Sequence, residues 1–138
     1  MSHQLALYAT AMLLGAKLFF SFVVAPMVFA NLPATTAAGF MRAIFPLYYS
    51  VTIVLALLAA LAFAMAQDVL GVIVLGAIAA LGLVSRQILL PRIEVWRAGK
   101  EAGDATATAK FRALHQASML INMAQILGAA GLLFSFVL

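Results

Sequence analysis

Residues 69–90 read VLGVIVLGAIAALGLVSRQILL, and this run contains a single charged residue, Arg86. An α-helix rises about 1.5 Å per residue, so the run is long enough to cross the roughly 30 Å hydrocarbon core of a bilayer. Lipid offers no hydrogen-bond partner to the backbone, which leaves a helix or a closed barrel as the spanning structures. The run lacks the alternation of apolar and polar residues that barrel strands show. It therefore predicts a transmembrane helix.

Three more apolar stretches accompany this helix, at about residues 5–31, 43–66 and 112–137. Hydrophobic residues make up 67% of the chain and charged residues 9%, whereas an ordinary soluble domain has roughly 25% charged residues. So few charges could not cover a soluble protein. We predict an all-α membrane protein, a four-transmembrane-helix antiparallel bundle that forms one domain over residues 1–138. The first stretch outlasts the apolar core of a signal peptide and contains Lys17, so we interpret it as a retained span.

Prolines suggest where these helices end. Pro33 follows the first span and cannot continue it, and residues 34–42 are compatible with a separate helix lying along the membrane interface. Pro91 is expected to break or kink the third span. The charged segment that follows, residues 92–104, is expected to begin as a helix and to loosen at Gly99 and Gly103.

The basic residues predict the orientation. Six of the eight Lys and Arg residues lie between Arg86 and Arg112, and Arg42 lies between the first two spans. Four spans place both connections on the same side, and the positive-inside rule puts that side in the cytoplasm. We expect a bacterial inner-membrane protein with both termini periplasmic. Beside apolar spans, this basic loop is better explained by orientation than by nucleic-acid binding.

Polar residues at membrane depth are costly, so they are the strongest functional signal in this sequence. The fourth span has a polar stripe at helical spacing, formed by Phe111, His115, Ser118, Asn122 and Gln125. A second stripe of small residues lies roughly 130° away, formed by Ala124, Gly128, Gly131 and Ser135. The fourth helix is therefore expected to be central or to lie at an oligomer contact. The polar stripe has two interpretations, ordinary interhelical hydrogen bonding and a polar pocket or pathway.

Lys17 falls near the middle of the first span, where burying a lysine costs about 2.5–3.5 kcal/mol on insertion scales. All four carboxylates lie near span ends, so its expected partner is a carbonyl, hydroxyl, amide, bound anion or water. Snorkelling to the interface is the alternative. Together the candidates for binding or for a pathway are Lys17, Tyr48, Arg86, Arg92, His115, Ser118, Asn122 and Gln125.

No catalytic constellation is present in the sequence, and we expect no enzymatic activity. There is no phosphate loop, no HExxH and no pair of carboxylates within the spans. The chain has no cysteine, which excludes disulfides and Cys-type zinc sites. We expect no metal and no cofactor. The two histidines, His3 and His115, lie on opposite sides of the membrane, so haem would need His115 from two copies.

Several short motifs occur in an order that resembles a known family. They are Phe45-Pro46-Leu47-Tyr48-Tyr49, Leu90-Pro91-Arg92 and Phe111-x-x-x-His115-x-x-Ser118-x-x-x-Asn122, preceded by a phenylalanine-rich stretch and Leu32-Pro33. The chain resembles a domain-of-unknown-function family of small bacterial membrane proteins related to eukaryotic transmembrane protein 205. The resemblance implies four helices and suggests export or trafficking. It points to Phe45, Pro46, Tyr48, Pro91, Arg92, Phe111, His115, Ser118 and Asn122.

Two functions follow from these patterns. The first is a homo-oligomeric transporter or channel-like protein for a small solute, with an anionic solute favoured by Lys17, Arg86, Arg92 and His115. The alternative is a binding or accessory protein within the lipid bilayer, which holds a lipid, haem or a partner's helix without transport. A small-molecule or ion ligand is compatible with both.

Overall fold

The computed structural model describes the backbone of residues 1–137, which form four long helices joined by short turns. The helices are α1 (Ser2–Asn31), α2 (Ala34–Met65), α3 (Val69–Glu101) and α4 (Ala105–Val137). All four are long and apolar enough to cross a membrane, and no strand occurs in the part of the chain described. The prediction of a four-helix, all-α membrane bundle is confirmed. The single domain predicted over 1–138 includes one residue outside this description.

The turns show why the helices begin and end where they do. Gln67 adopts a left-handed backbone with φ of 58°, which ends α2, and the Asp68 carboxylate accepts the Gly71 N–H at 3.0 Å to cap α3. Gly103 has φ of 86° after α3, a conformation that glycine adopts without steric cost. Asp104 then caps α4 by accepting the Thr106 N–H at 2.9 Å. Consecutive helices are therefore antiparallel.

α3 passes through Pro91, a proline that was expected to break or kink it. α3 continues past Pro91 to Glu101, because a π-helical turn at Ser85–Leu89 adds a residue just before it. There the Leu90 N–H donates to Ser85, five residues back. In a regular helix the proline ring would clash with the carbonyl four residues back, and the wider turn moves that carbonyl away from the ring. The expectation of a break at Pro91 was therefore wrong.

A second π-helical turn, Phe20–Val24, precedes Pro26 in α1. Residues 34–42, expected as a separate interface helix, instead form the first turns of α2, which continues through Pro46. Ala37 and Met41 are buried in this part of α2. The segment is thus a wall of the bundle.

The core has two parts with different chemistry. The half that contains the chain's N-terminus packs tightly around Phe63, whose ring is so close to Gly71 that a Cβ there would overlap it. We call this half the closed end; its buried residues include Ala6, Leu13, Ala56, Phe63, Leu75 and Ala129. The other half is built on buried aromatic and methionine side chains, namely Phe20, Met41, Tyr48 and Tyr49. The candidate site lies in this second half.

Candidate functional site

Four polar side chains from three helices form one hydrogen-bonded network. Lys17 of α1 donates through Nζ to the Tyr48 hydroxyl at 3.1 Å and to Asn122 Oδ1 at 2.9 Å. The Tyr48 hydroxyl donates to the same Oδ1 at 2.7 Å. Asn122 Nδ2 donates to the Ser21 hydroxyl at 2.8 Å, so α1, α2 and α4 are joined at one depth. We refer to these four residues as the Lys17 network.

Lys17 is entirely buried, with 0% of its surface exposed. Its Nζ also lies 4.7 Å from the centroid of the Tyr48 ring, a cation–π arrangement. Within residues 1–137 no carboxylate forms an ion pair with it, since the two ion pairs found there join Glu94 to Arg42 and to Arg97. Lys17 therefore faces the bundle interior and is held by a hydroxyl and an amide.

A second polar contact lies beside the network. The hydroxyls of Tyr49 and Ser118 are 2.8 Å apart and join α2 to α4. Tyr48 stacks on Phe20 with ring centroids 4.0 Å apart, and Tyr49 stacks on Phe45 at 5.8 Å. Stacked rings fix both phenol groups in place, so their hydroxyls point to α4 with little freedom.

A cavity of about 690 Å³ adjoins the Lys17 network on the side away from the closed end. Ligand-binding pockets in proteins typically measure roughly 300–1,000 Å³ and have mainly apolar walls. This one fits that description, and Ser21, Tyr48 and Asn122 form a polar corner in it while Lys17 lies directly behind them. Its apolar lining includes Phe20, Phe22, Phe29, Met41, Phe45, Phe111, Met119 and Met123.

The wall contributed by α3 contains two cationic side chains. Arg97 and Lys100 line the cavity and lie over the Phe111 ring, at 5.1 and 4.3 Å from its centroid. His115 also lines it, one turn further along α4, with its ring parallel to Phe111 at 6.0 Å. No carboxylate of the described chain lines this cavity. Glu101 lies at a smaller neighbouring cleft that shares Arg97 and Lys100.

The structure brings together five of the eight residues predicted as binding or pathway candidates. Lys17, Tyr48 and Asn122 form the network, and Ser118 and His115 are on the cavity wall. The other three lie elsewhere.

Arg86 donates from Nε to the Pro46 carbonyl at 3.3 Å, which ties α3 to α2 at a position where proline disturbs the helix. Gln125 is buried and donates to the Ile78 carbonyl at 2.9 Å, which makes it an interhelical bond. Arg92 is exposed on the outer face of α3. None of the three lines the cavity, and a binding or pathway role for Arg86, Arg92 and Gln125 stays a prediction.

Arg97 and Lys100 line the cavity but were not predicted as site residues, because their charges were interpreted only as orientation signals. The spacing of Ile93, Arg97 and Lys100 offered a clue, because steps of four and three place all three on one helical face. Ser21 lies one turn beyond Lys17 and was detectable in the same way. Tyr49 adjoins a predicted candidate, but nothing in the sequence pairs it with Ser118.

The described residues do not provide a metal site. Within 1–137 no three side chains of His, Cys, Asp or Glu lie close enough to hold an ion. The only histidine at the cavity is His115, since His3 packs against Phe63 and Phe136 at the closed end.

Comparison with protein-family models gives a match. A family model described as a domain of unknown function, DUF4149, matches residues 8–101, about two thirds of the chain. The chain belongs to this family. No curated protein and no solved structure matches the chain. The relation to eukaryotic transmembrane protein 205 stays a prediction.

The matched region of this DUF4149 protein ends with α3. It includes Lys17, Ser21 and Tyr48 and the cationic pair on the cavity wall, whereas Ser118, His115 and Asn122 belong to α4, beyond the match. The family assignment therefore extends over three of the four described helices. The fourth wall of the cavity rests on the structure of this chain.

Proposed function

We propose that this DUF4149 protein binds a small anionic molecule with a largely apolar body in the cavity beside the Lys17 network. The observation that carries the proposal is the cavity's asymmetric wall. Apolar side chains, many of them aromatic, form most of the wall, and Lys100 and Arg97, which is ion-paired with Glu94 outside the lining, supply its charge. A cation next to an apolar pocket attracts an amphipathic anion more strongly than a neutral molecule of the same shape.

Fluorescent ligands that differ only in charge test this proposal. Pyrenebutyrate and pyrenebutanol have the same apolar body, and Trp96, the only tryptophan of the chain, serves as the energy donor. We expect saturable energy transfer to the anion in neutral detergent and weaker binding of the alcohol. Charged hydrogen bonds contribute about 1.5–3 kcal/mol, so Lys100→Gln should weaken anion binding by at least about tenfold.

Lys110→Gln is the matched control, because Lys110 is exposed in the same charged region and does not line the cavity. Equal affinities for anion and alcohol would contradict the proposal. So would equal effects of the two lysine substitutions.

Transport of the same anion is the second candidate, favoured by the position of Lys17. The cavity ends at a buried amine in the middle of α1, and beyond it the closed end is packed with small and aromatic side chains. A transporter would have to open that end in a second state. Copies would meet along α4, where Ala124, Gly131 and Ser135 face outward. Anion flux into proteoliposomes, abolished by Lys17→Met, would support transport; binding without flux would leave only the first function.

The proposed setting is a bacterial inner membrane with the cavity end in the cytoplasmic half. The basic residues that support it lie at that end of the bundle, while Asp68 caps the opposite end of α3. Fusing alkaline phosphatase or green fluorescent protein to the C-terminus distinguishes the two orientations. Phosphatase activity is expected, because that enzyme matures only in the periplasm.

A further inference from the structure

The cavity has an opening between α1 and α4. α1 packs along α4 over Ser2–Phe19, but the part of α1 after the π-helical turn has no comparable packing against it. That part, residues 25–31, contacts α2 instead. The extra residue of the π turn and the missing N–H of Pro26 change the course of the helix at this point. We call the resulting opening the α1–α4 gap.

The side chains at this gap are exposed and apolar. Phe22 and Phe29 of α1 are each 58% exposed, as is Met119 of α4, and all three also line the cavity. In a transmembrane bundle, exposed phenylalanine and methionine side chains face acyl chains. The gap therefore connects the cavity with the bilayer.

The cationic wall lies at the level of the membrane surface. Arg97 and Lys100 belong to the last turns of α3, close to Glu101 and to the cap residue Asp104. Ile93, on the same face, is buried, while five of the ten residues from Arg92 to Glu101 are charged. α3 is 33 residues long, or about 50 Å, so its charged end extends beyond a hydrocarbon core of about 30 Å into the head-group layer.

The donors on this wall suit a phosphate group. Arg97 uses Nε for Glu94, and a guanidinium has further donors on its two terminal nitrogens, arranged for binding phosphate oxygens. Lys100 adds a point charge beside it, and His115 adds a ring nitrogen one turn along α4. Lysine and arginine together are a common phosphate-binding combination.

We infer that the ligand is an anionic phospholipid, which enters from the bilayer through the α1–α4 gap. Its phosphate binds Arg97 and Lys100, and one acyl chain occupies the aromatic cavity as far as the Lys17 network. This inference rests on the proposed function and specifies its ligand class and route. A water-soluble anion would need no apolar gap toward lipid, and a neutral lipid would leave the Lys100 amine and the terminal nitrogens of Arg97 without an anionic partner in the cavity.

Energy transfer from Trp96 to pyrene-labelled lipids in phosphatidylcholine vesicles tests the inference. Labelled phosphatidic acid should give a saturable signal that unlabelled phosphatidic acid displaces, whereas labelled phosphatidylcholine should give only the background of surrounding lipid. Lys100→Gln should lower the preference for phosphatidic acid by about tenfold, the effect of losing one charged contact. Lys110→Gln should leave it unchanged.

A matched pair of substitutions tests the route. Ala25→Phe places a ring on the half-buried cavity side of α1, and Ala30→Phe places the same ring on an exposed position of the same helix. We expect lipid binding to fall at least fivefold in Ala25→Phe and to be unchanged in Ala30→Phe. Equal behaviour of these two variants would overturn access through the gap.

Two outcomes separate this inference from its alternatives. If pyrenebutyrate binds and phosphatidic acid does not, the lipid inference is wrong and the proposed function stands; if neither binds, both are wrong. The chain has no cysteine, so Phe22→Cys and Met119→Cys proteins can be mixed and oxidised. A high yield of the mixed disulfide would place a second copy in the gap and overturn lipid access, whereas its absence supports an opening to lipid.

Discussion

Replacing Lys17 with methionine should stabilise the bundle, although it removes two hydrogen bonds. The variant loses the bonds from Nζ to Tyr48 and to Asn122, and interhelical bonds in membranes average about 0.6 kcal/mol each. It also removes the burial of an amine at the centre of a span, which costs about 2.5–3.5 kcal/mol. The difference is a gain of about 1–2 kcal/mol. The Tyr48 hydroxyl still donates to Asn122 Oδ1 in the variant, so no buried acceptor loses its last partner.

Removing the hydrogen-bond partner of Lys17, rather than Lys17 itself, should destabilise the bundle. Asn122→Leu removes the acceptor that Lys17 and Tyr48 share, and it also removes the donor to Ser21. Leaving buried polar groups without partners costs about 1–3 kcal/mol. The double variant Lys17→Met/Asn122→Leu should recover part of that loss, since apolar replacement of both partners is nearly neutral.

Reversible unfolding in mixed micelles of dodecyl sulfate and a neutral detergent measures these free energies, because dispersing the helices returns the amine to water. Leu13→Met is the control for introducing methionine, as Leu13 is also fully buried on α1, and a swap of this kind costs less than about 1.5 kcal/mol. If Lys17→Met unfolds at a lower fraction of dodecyl sulfate than Leu13→Met, then Lys17 stabilises the fold. The reasoning that assigns it to function would then be refuted.

Three further predictions concern stability, and unfolding in the same micelles checks each of them. Gly71→Ala should destabilise the bundle by about 1–3 kcal/mol because the new methyl group overlaps Phe63. Gly76 has open space around it, so Gly76→Ala should be neutral or stabilising by up to about 1 kcal/mol. Similar effects of the two substitutions would contradict this account of the closed end. Gln125→Met should cost about 0.6 kcal/mol by removing one interhelical bond and should not alter pyrenebutyrate binding, and a binding defect would return Gln125 to the site. Asp104→Ala should cost about 0.5–2 kcal/mol through loss of the α4 cap, and an unchanged midpoint would show that the cap is dispensable.

The sequence was sufficient for the fold and for the burial of Lys17. A charge in the middle of an apolar span has few physical solutions, and absent carboxylates at that depth limited its partners to neutral groups. The identity of the partners depended on the rotation of each helix about its axis. Asn122 and Gln125 follow the same stripe of α4, yet one joins Lys17 and the other binds a carbonyl of α3.

The cavity was harder to predict, because two features that shape it have no simple sequence signature. The π-helical turns absorb Pro26 and Pro91, so α1 diverges from α4 and α3 continues as a wall. Arg97 and Lys100 were explained as orientation signals. That explanation accounts for their charge but does not depend on which face of the helix they occupy. Their spacing from Ile93, in steps of four and three residues, puts both cations on the same helical face as Ile93.

The Lys17 network also affects how the helices insert into the membrane during synthesis. α1 is synthesised first, and its central lysine stays without Asn122 until a residue 105 positions later has been made. The leucine, phenylalanine and valine residues of α1 each contribute about −0.3 to −0.6 kcal/mol to insertion. Together they must outweigh the insertion cost of the lysine. A chain that stops before α4 therefore carries a buried amine without its main acceptor. Such a fragment keeps only the Tyr48 hydroxyl as a partner for the amine, so the three-helix chain is expected to be less stable in the membrane than the complete bundle.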